Sequence, residues 1–332
     1  MSKKGNKNVV WKIFKESHVI VLTTHVRPDG DGIASELALY FILSSMGKVV
    51  YIVNQDRTPD TYSWLPDADR IITLEENDSI QIPAIDLTVL LDCSSSNRIG
   101  RVYDLFKDSK KIISLDHHED SECFRDYCYI DPGVSSIGEL LYTLIPDIKC
   151  YMDKKLATYI YVSIMTDTGS FAYANTTKKV FQIVSHLLGY GVSPDHIFQM
   201  VYNNKSINHF RLLGKALELL ETDDTGQIVY VLLPLSVYRE TGAVKEDNEG
   251  ILEVIRGFKN VELIIMLRQL KSKRLKGSLR SSNKINCNHL SKMFGGGGHF
   301  KASGFTIEGD VTEIGSSIIQ KISDEVKELG WI

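Results

Sequence analysis

Residues 19–47, VIVLTTHVRPDGDGIASELALYFILSSMG, decide the fold. VIVLTT (19–24) is a short β-branched apolar run without polar alternation, the pattern of a strand buried on both faces. DGIASELALYFILSSMG carries apolar residues at helical spacing and ends on Gly47, a natural C-terminal stop. Working outward, KVVYIV (48–53), LTVLLD (87–92) and KIISLD (111–116) repeat the strand pattern with helix-length segments between them. Alternation of this kind predicts a doubly wound, mainly parallel sheet. From about 137 the pattern turns helical, through GELLYTLI, DKKLATYIYVSIMTD and TKKVFQIVSHLLGYG. A second αβ series follows in GQIVYVLLPL, VELIIMLRQL, RLKGSLRS and ASGFTI, closed by the helix TEIGSSIIQKISDEVKELG. We therefore expect an α/β domain over 1–190, a helical linker over 191–225 and a smaller α/β domain over 226–332.

A chain of 332 residues with 43% hydrophobic content can bury a sizeable core, and its length fits about two domains. The formal net charge of -4 is unevenly placed. Residues 268–301 hold nine Lys and Arg and no Asp or Glu, leaving 29 cations to face all 42 acids elsewhere. One concentrated basic segment on an acidic body points to an anionic partner met locally. The basic start MSKKGNKNVV lacks an apolar run behind it, and no apolar stretch approaches membrane-spanning length, so a cytoplasmic protein is expected. Cys93, Cys123, Cys128, Cys150 and Cys287 are odd in number and form no C-x-x-C. They read as buried small hydrophobes, outside any disulfide framework or thiolate zinc site.

In an open parallel sheet, ligands bind beyond the carboxyl ends of the strands. Three of the four early strands end in ligand-type residues. VIVLTT runs into His25, Asp29 and Asp31, LTVLLD ends in Asp92, and KIISLD runs into Asp116, His117 and His118. Asp167 closes the helical stretch before a glycine. His25, Asp29, Asp31, Asp92, His117 and Asp167 make four carboxylates and two imidazoles, more than one four-coordinate ion needs. Four close carboxylates would repel unless neutralised. Two divalent cations bridged by Asp92, about 3.5–4 Å apart, would neutralise them, activate a water and clamp a phosphoryl group. Mixed carboxylate and imidazole ligation leans to manganese, with magnesium or cobalt as substitutes.

Each motif has a plainer reading. PDGDG alone is a turn, and as an EF-hand fragment it has Ile33 where an oxygen ligand is due. Asp92, followed by SSS, could cap a helix. DTGS (167–170) matches an aspartic-protease signature, yet no second copy of that loop exists. Taken together at strand ends, the clusters favour a metal site.

The basic segment LKGSLRSSNKINCNHLSKMFGGGGHFKASGF places Arg280 and Ser281 at the end of a strand-like run and Gly295 to Gly298 before His299. Consecutive glycines suit a chain passing close to a ligand, Arg280 can fork onto phosphate oxygens, and His299 can donate to one.

HVRPDGDGIAS, LLDCSSSNRIG, SLDHHED, TDTGSF and then SLRSS…GGGGHFKASGF, in that order, resemble the DHH/DHHA1 phosphoesterase family over essentially the whole chain. Length and domain content are most similar to its stand-alone nanoRNase/pAp phosphatase type. The resemblance implies a DHH domain with a dimanganese site, a DHHA1 domain that binds substrate, and catalysis in the cleft between. It makes His25 and Asp29 ligands of one metal, Asp31 and His117 of the other, with Asp92 bridging and Asp167 completing the set. His118 then faces the scissile phosphate and Asp116 supports the histidine pair. Arg280, Ser281, Gly296, Gly297, Gly298 and His299 correspond to distal substrate contacts. Ala34 and Ala172 depart from the Gly and Arg frequent in relatives, and the second change removes one phosphate contact.

The expected reaction is hydrolysis of very short single-stranded RNA to mononucleotides, or of 3'-phosphoadenosine 5'-phosphate (pAp) to AMP, by in-line attack of a metal-bridging hydroxide. Alternatives are a cyclic or linear dinucleotide, pyrophosphate or polyphosphate as substrate, a nucleotide-binding or RNA-binding module without turnover, and a purely structural metalloprotein. No membrane partner is expected, and the oligomeric state stays open, a homodimer among the options.

Overall fold

The run after Ser17 forms β1 (Val19–Thr23), the strand about which the first sheet is organised. The computed structural model describes residues 5–74, 80, 82–118, 121, 123, 126–271, 273–282, 284–298 and 300–332, and the chain divides into two units, Met1–Asn204 and Lys205–Ile332.

The first unit runs α1 (Lys7–Glu16), β1, α2 (Gly30–Ser45), β2 (Val49–Asn54), β3 (Ile71–Thr73), β4 (Leu87–Leu91), α3 (Val102–Phe106), β5 (Lys111–Asp116), β6 (Tyr127–Ile130) and α4 (Ile137–Leu144). Helices α5 (Lys154–Asp167), α6 (Lys178–Leu188) and α7 (Pro194–Tyr202) complete it. The strands are parallel in the order β3-β2-β1-β4-β5-β6. Strand alternation sends Ile20, Leu22, Leu87, Val89, Leu91, Ile113 and Leu115 into a core filled by α1, α2 and α4 to α7. Val21, Val53, Leu90 and Ile112 face the other way, against Val102 and Phe106 of α3. The sheet is thus doubly wound as expected, with one face thickly covered and the other thinly. Chain order reverses between β1 and β4, which makes their carboxyl ends the switch point where such sheets bind ligands.

The second unit contains α8 (Ile207–Glu218), β7 (Leu220–Thr222), β8 (Ile228–Leu233), α9 (Leu235–Thr241), α10 (Ile251–Ile255), β9 (Leu263–Lys271) and β10 (Arg274–Ser281). It ends in α11 (Cys287–Lys292), β11 (Gly297–Gly298), β12 (Ala302–Glu308) and α12 (Val311–Glu328). The order is β11-β12-β10-β9-β8-β7, with β8 and β9 parallel and the other pairs antiparallel. Leu263, Ile265, Leu267, Leu275, Leu279 and Phe305 pack under α11 and α12. On the opposite face Val229, Val231, Ile264 and Met266 pack under α8, α9 and α10.

The segment 191–225 is shared between the units. Ile197 and Val201 of α7 enter the first core, Leu212 and Ala216 of α8 enter the second, and β7 pairs with β8. The cysteines depart from expectation. Cys93 and Cys287 are buried, but Cys150 is exposed and Cys123 is bonded to Cys128. A loop returning from β5 to β6 brings those two Cα atoms within 5.5 Å, a proximity that counting cysteines does not reveal. Among the described residues no helix is long and apolar enough to cross a membrane.

Candidate metal centre

The carboxyl end of β1 delivers His25, whose Nδ1 lies 2.9 Å from the carbonyl of Val26. An Nδ1–H donated to that carbonyl leaves the Nε2 lone pair for a cation. That Nε2 lies 3.3 Å from Asp92 Oδ2 and 3.8 Å from Asp29 Oδ2. Asp29 caps α2, accepting from the Gly32 N–H at 3.1 Å, and Asp31 sits in the first turn of the same helix. Asp92 follows β4 in the left-handed region at φ 56, a conformation costly for a residue with a Cβ and retained most often where function demands it. It does not cap a helix, since the next turn is opened by Ser95.

From the end of β5, His117 points its Nε2 at three carboxylates, 3.4 Å from Asp92 Oδ1, 3.5 Å from Asp167 Oδ2 and 3.7 Å from Asp31 Oδ2. His117 Nε2 and Asp92 Oδ1, though 3.4 Å apart, are both buried without a well-formed hydrogen bond among the described residues. Buried polar atoms are rarely left so, because the desolvation cost is then unrecovered. A divalent cation would satisfy both, and the oxygen and imidazole donors suit manganese-type ions. Asp92, His117 and His118, the trio His25, Asp29 and Asp92, and the trio Asp31, His117 and Asp167 each bring ligand atoms within 4.8 Å of one another. Asp92 belongs to two of these groups, the place a bridging carboxylate would take.

The rings of His117 and His118 lie 4.7 Å apart, both beside Asp92 Oδ1, and they are distinguished by Asp116. Its Oδ1 accepts the His117 backbone N–H at 2.8 Å and lies 2.7 Å from His118 Nδ1, while Ser121 donates to Oδ2. Asp116 is fully buried, so this contact fixes the His118 ring.

Without a cation the cluster neutralises itself with protons. Burial alone would lower His25 and His117, but Asp92 beside both, Asp29 near the first and Asp31 and Asp167 near the second hold them at about 9 and about 10. Burial pushes Asp167 up to about 7, and burial with the charges of Asp92 and Asp167 raises Asp31 well above its ordinary value. Asp92 is held low against its burial by His117 and His25. The result is a nest of acids and imidazoles that cations and protons compete to fill.

Residues not singled out in the sequence orient the side chains of the cluster. Asp31 accepts from the Ile137 N–H at 2.9 Å, from Ser35 Oγ at 3.0 Å and from Ser163 Oγ. Ser163 in turn accepts from the Gly138 N–H at 2.7 Å. Asn175 Nδ2 donates to the backbone carbonyl of Asp167 at 3.1 Å. Ser35 stands one helical turn after Asp31 and was legible by spacing, whereas Ser163 and Ile137 meet it only through the packing of α4 and α5 on α2.

In the second unit, Arg280 lies half-buried on the sheet face shared with Ile264, 3.5 Å from Glu253. Ser281 turns to the opposite side, where it is buried and donates to the Ile285 carbonyl. Gly296 and Gly298 bring the chain against β12, where a Cβ would meet Gly304 O at 2.3 Å and Ser303 Cα at 2.6 Å, so strand pairing already requires both. Gly297 is open to solvent, and His299 lies outside the described residues.

Comparison with known proteins places the chain among hydrolases of phosphoric esters. It belongs to the DHH family: residues 19–164 match the DHH family N-terminal domain and residues 226–328 the DHHA1 domain. The bifunctional oligoribonuclease and PAP phosphatase NrnA of Thermus thermophilus is 28% identical over 316 residues, covering 94% of this chain and 92% of that protein. NrnA of Bacillus subtilis is 25% identical, covering 87% and 89%. The crystal structure of an exopolyphosphatase-related protein from Bacteroides fragilis superposes with a TM-score of 0.92 at 31% identity, covering 97% of this chain and 96% of that one.

Proposed function

We propose that this protein hydrolyses very short RNA oligonucleotides to mononucleotides, pAp to AMP, or both, with two manganese ions at the cluster around Asp92. The observation that carries the reading is a pair of neighbouring buried atoms, His117 Nε2 and Asp92 Oδ1, left without a hydrogen bond among the described residues inside a shell of carboxylates. The near full-length similarity to two oligoribonuclease and PAP phosphatase proteins supports the substrate class.

His25, Asp29 and Asp92 would hold one cation, and Asp31, His117, Asp167 and Asp92 the other. Bound there, the cations would supply a nucleophilic water and neutralise charge on the phosphoryl oxygens. His118, fixed through Nδ1 by Asp116, would donate to a non-bridging phosphoryl oxygen and stabilise the charge that grows on it. Arg280, with Gly297 and His299, would meet the remainder of the nucleotide, Arg280 by forked contact with phosphate, whereas Ser281, buried on the opposite side with its hydroxyl donated to Ile285, would not. The segment 268–301 that carries them has nine cations and no acid of its own, which favours an anion of nucleotide size.

The test is turnover of pAp, a dinucleotide and a five-nucleotide RNA by the full chain, with manganese and with chelator. Manganese-dependent release of AMP or mononucleotides is expected. Failure on all three substrates with manganese bound would refute the reading.

A further inference from the structure

Cys123 and Cys128, five positions apart, are joined by a disulfide in the segment that returns from β5 to β6. The two sulfurs differ in access, since Cys128 lies in β6 and is 5% exposed whereas Cys123 is exposed. The sheet does not depend on the bond. Residues Tyr127 to Ile130 pair with β5, and Asp126 accepts the Ile112 N–H at 2.7 Å, so β6 is already held at its start. A disulfide with one sulfur exposed, closing a short ring and supporting no core, is open to thiol exchange.

The pair sits beside the metal cluster. Strand register sets Cys128 next to Ser114, two residues before Asp116. Cys123 follows two residues after Ser121, whose hydroxyl donates to Asp116 Oδ2 and whose N–H donates to the His118 carbonyl at 3.3 Å. Asp116 Oδ1 in turn holds His118 Nδ1 at 2.7 Å. The disulfide thus ties residue 123 back to the end of β5, close to where Ser121 must meet Asp116. With the bond open, Cys123 loses that tie, and holding Ser121 against Asp116 then costs the loop-closure entropy that the disulfide had removed.

We infer that Cys123 and Cys128 are a reversible modification site for a small-molecule disulfide, and that closing the pair keeps Ser121 on Asp116 and so positions the His118 ring. The effect on catalysis rests on the function proposed above, whereas the modification site rests on the pair and its surroundings. In the oxidising direction the Cys123 thiolate attacks one sulfur of the small disulfide, forming a mixed disulfide and releasing one small thiolate. The Cys128 thiolate then attacks Cys123 Sγ, forming the protein bond and expelling the second small thiolate. Two protein thiols give up two electrons and two protons, and the small disulfide leaves as two thiols.

The experiment equilibrates the full chain with glutathione and glutathione disulfide at graded ratios. Mass spectrometry after thiol alkylation counts closed pairs, amide exchange follows the Ser121 N–H, and manganese-dependent turnover of pAp gives kcat and KM. Closure should rise with the disulfide fraction, slow exchange at Ser121 by about tenfold or more, and raise kcat by about threefold or more at unchanged KM. Cys123→Ser should keep the fast exchange and low kcat of the open form at every ratio. Ser121→Ala should still close the pair but lose the response of kcat, and Cys150→Ser, which removes an exposed thiol outside the pair, should respond as the parent does. A pair that stays open or stays closed at every ratio, equal Ser121 exchange in the two forms, or a kcat that ignores closure would overturn the inference. A chain without any turnover but with reversible closure and altered Ser121 exchange would sink the proposed function and leave the modification site standing.

Discussion

At the scale of single residues, Asp92 is the side chain on which the cluster turns. It touches His25 through one oxygen and His117 through the other, at 3.3 and 3.4 Å. Asp92→Ala should lower turnover by about a thousandfold or more, since removal of a shared ligand disables both ion positions. The same variant should be less stable than the parent without metal, because it removes the carboxylate that the protonated His25 and His117 share; retained manganese binding by calorimetry would contradict its ligand role. Titration gives a second expectation. His25 and His117 keep protons up to about 9 and about 10, and Asp167 to about 7, all raised in the folded chain. For the histidines, the stabilisation is complete below the ordinary value of 6.5 and is lost as pH rises through 9 and 10. For Asp167, the folded form pays progressively as pH rises from the ordinary 3.8 towards about 7. Manganese must displace these protons, so its affinity should climb by on the order of tenfold per pH unit between pH 6 and 8, with proton release visible in buffers of different ionisation enthalpy.

At the scale of elements, the first turn of α4 positions the site as firmly as the strands do. The Ile137 N–H holds Asp31, and the Gly138 N–H holds the Ser163 hydroxyl that also reaches Asp31. A Cβ at position 138 would stand 2.3 Å from Ser163 Oγ and 3.1 Å from Ile160 O, so Gly138→Ala must push α4 off α5. A cost of about 1–3 kcal/mol in stability is expected from such overpacking, together with weaker manganese binding than the destabilisation alone explains. Ser163→Ala, which removes the donor without a clash, should weaken manganese binding and cost about 1–3 kcal/mol in stability by leaving the buried Gly138 N–H without its acceptor; identical metal titrations for Ser163→Ala and parent would show that the contact is incidental. These contacts also mark where sequence reading stops. His25, Asp92 and His117 were legible because strand ends announce themselves by apolar runs that break into ligand-type residues. Strands β3 and β6 were missed, being three and four residues long, too short to carry a pattern. The partners of Asp31 lie 106 and 132 positions away, a proximity set by helix packing that no local spacing encodes.

At the scale of the whole molecule, each unit has its own cores: one pair of apolar clusters flanks the parallel sheet and another pair flanks the mixed sheet. The six ligand-type residues all fall before Asn204, so cation binding should act on the first unit. Saturation at a hundred times the dissociation constant stabilises the binding form by about 2.7 kcal/mol. That energy should appear as slower amide exchange where backbone groups support the ligands. The Gly32 N–H under Asp29, the Ile137 N–H under Asp31 and the His117 N–H under Asp116 are the reporters to follow. Hydrogen exchange with and without manganese should therefore slow at the start of α2, the start of α4 and the end of β5, with strands β9 and β10 of the second unit largely unaffected. Protection spread evenly over both units, or confined to the basic segment, would mean that the cation sits elsewhere and that the carboxylate cluster is held by protons alone.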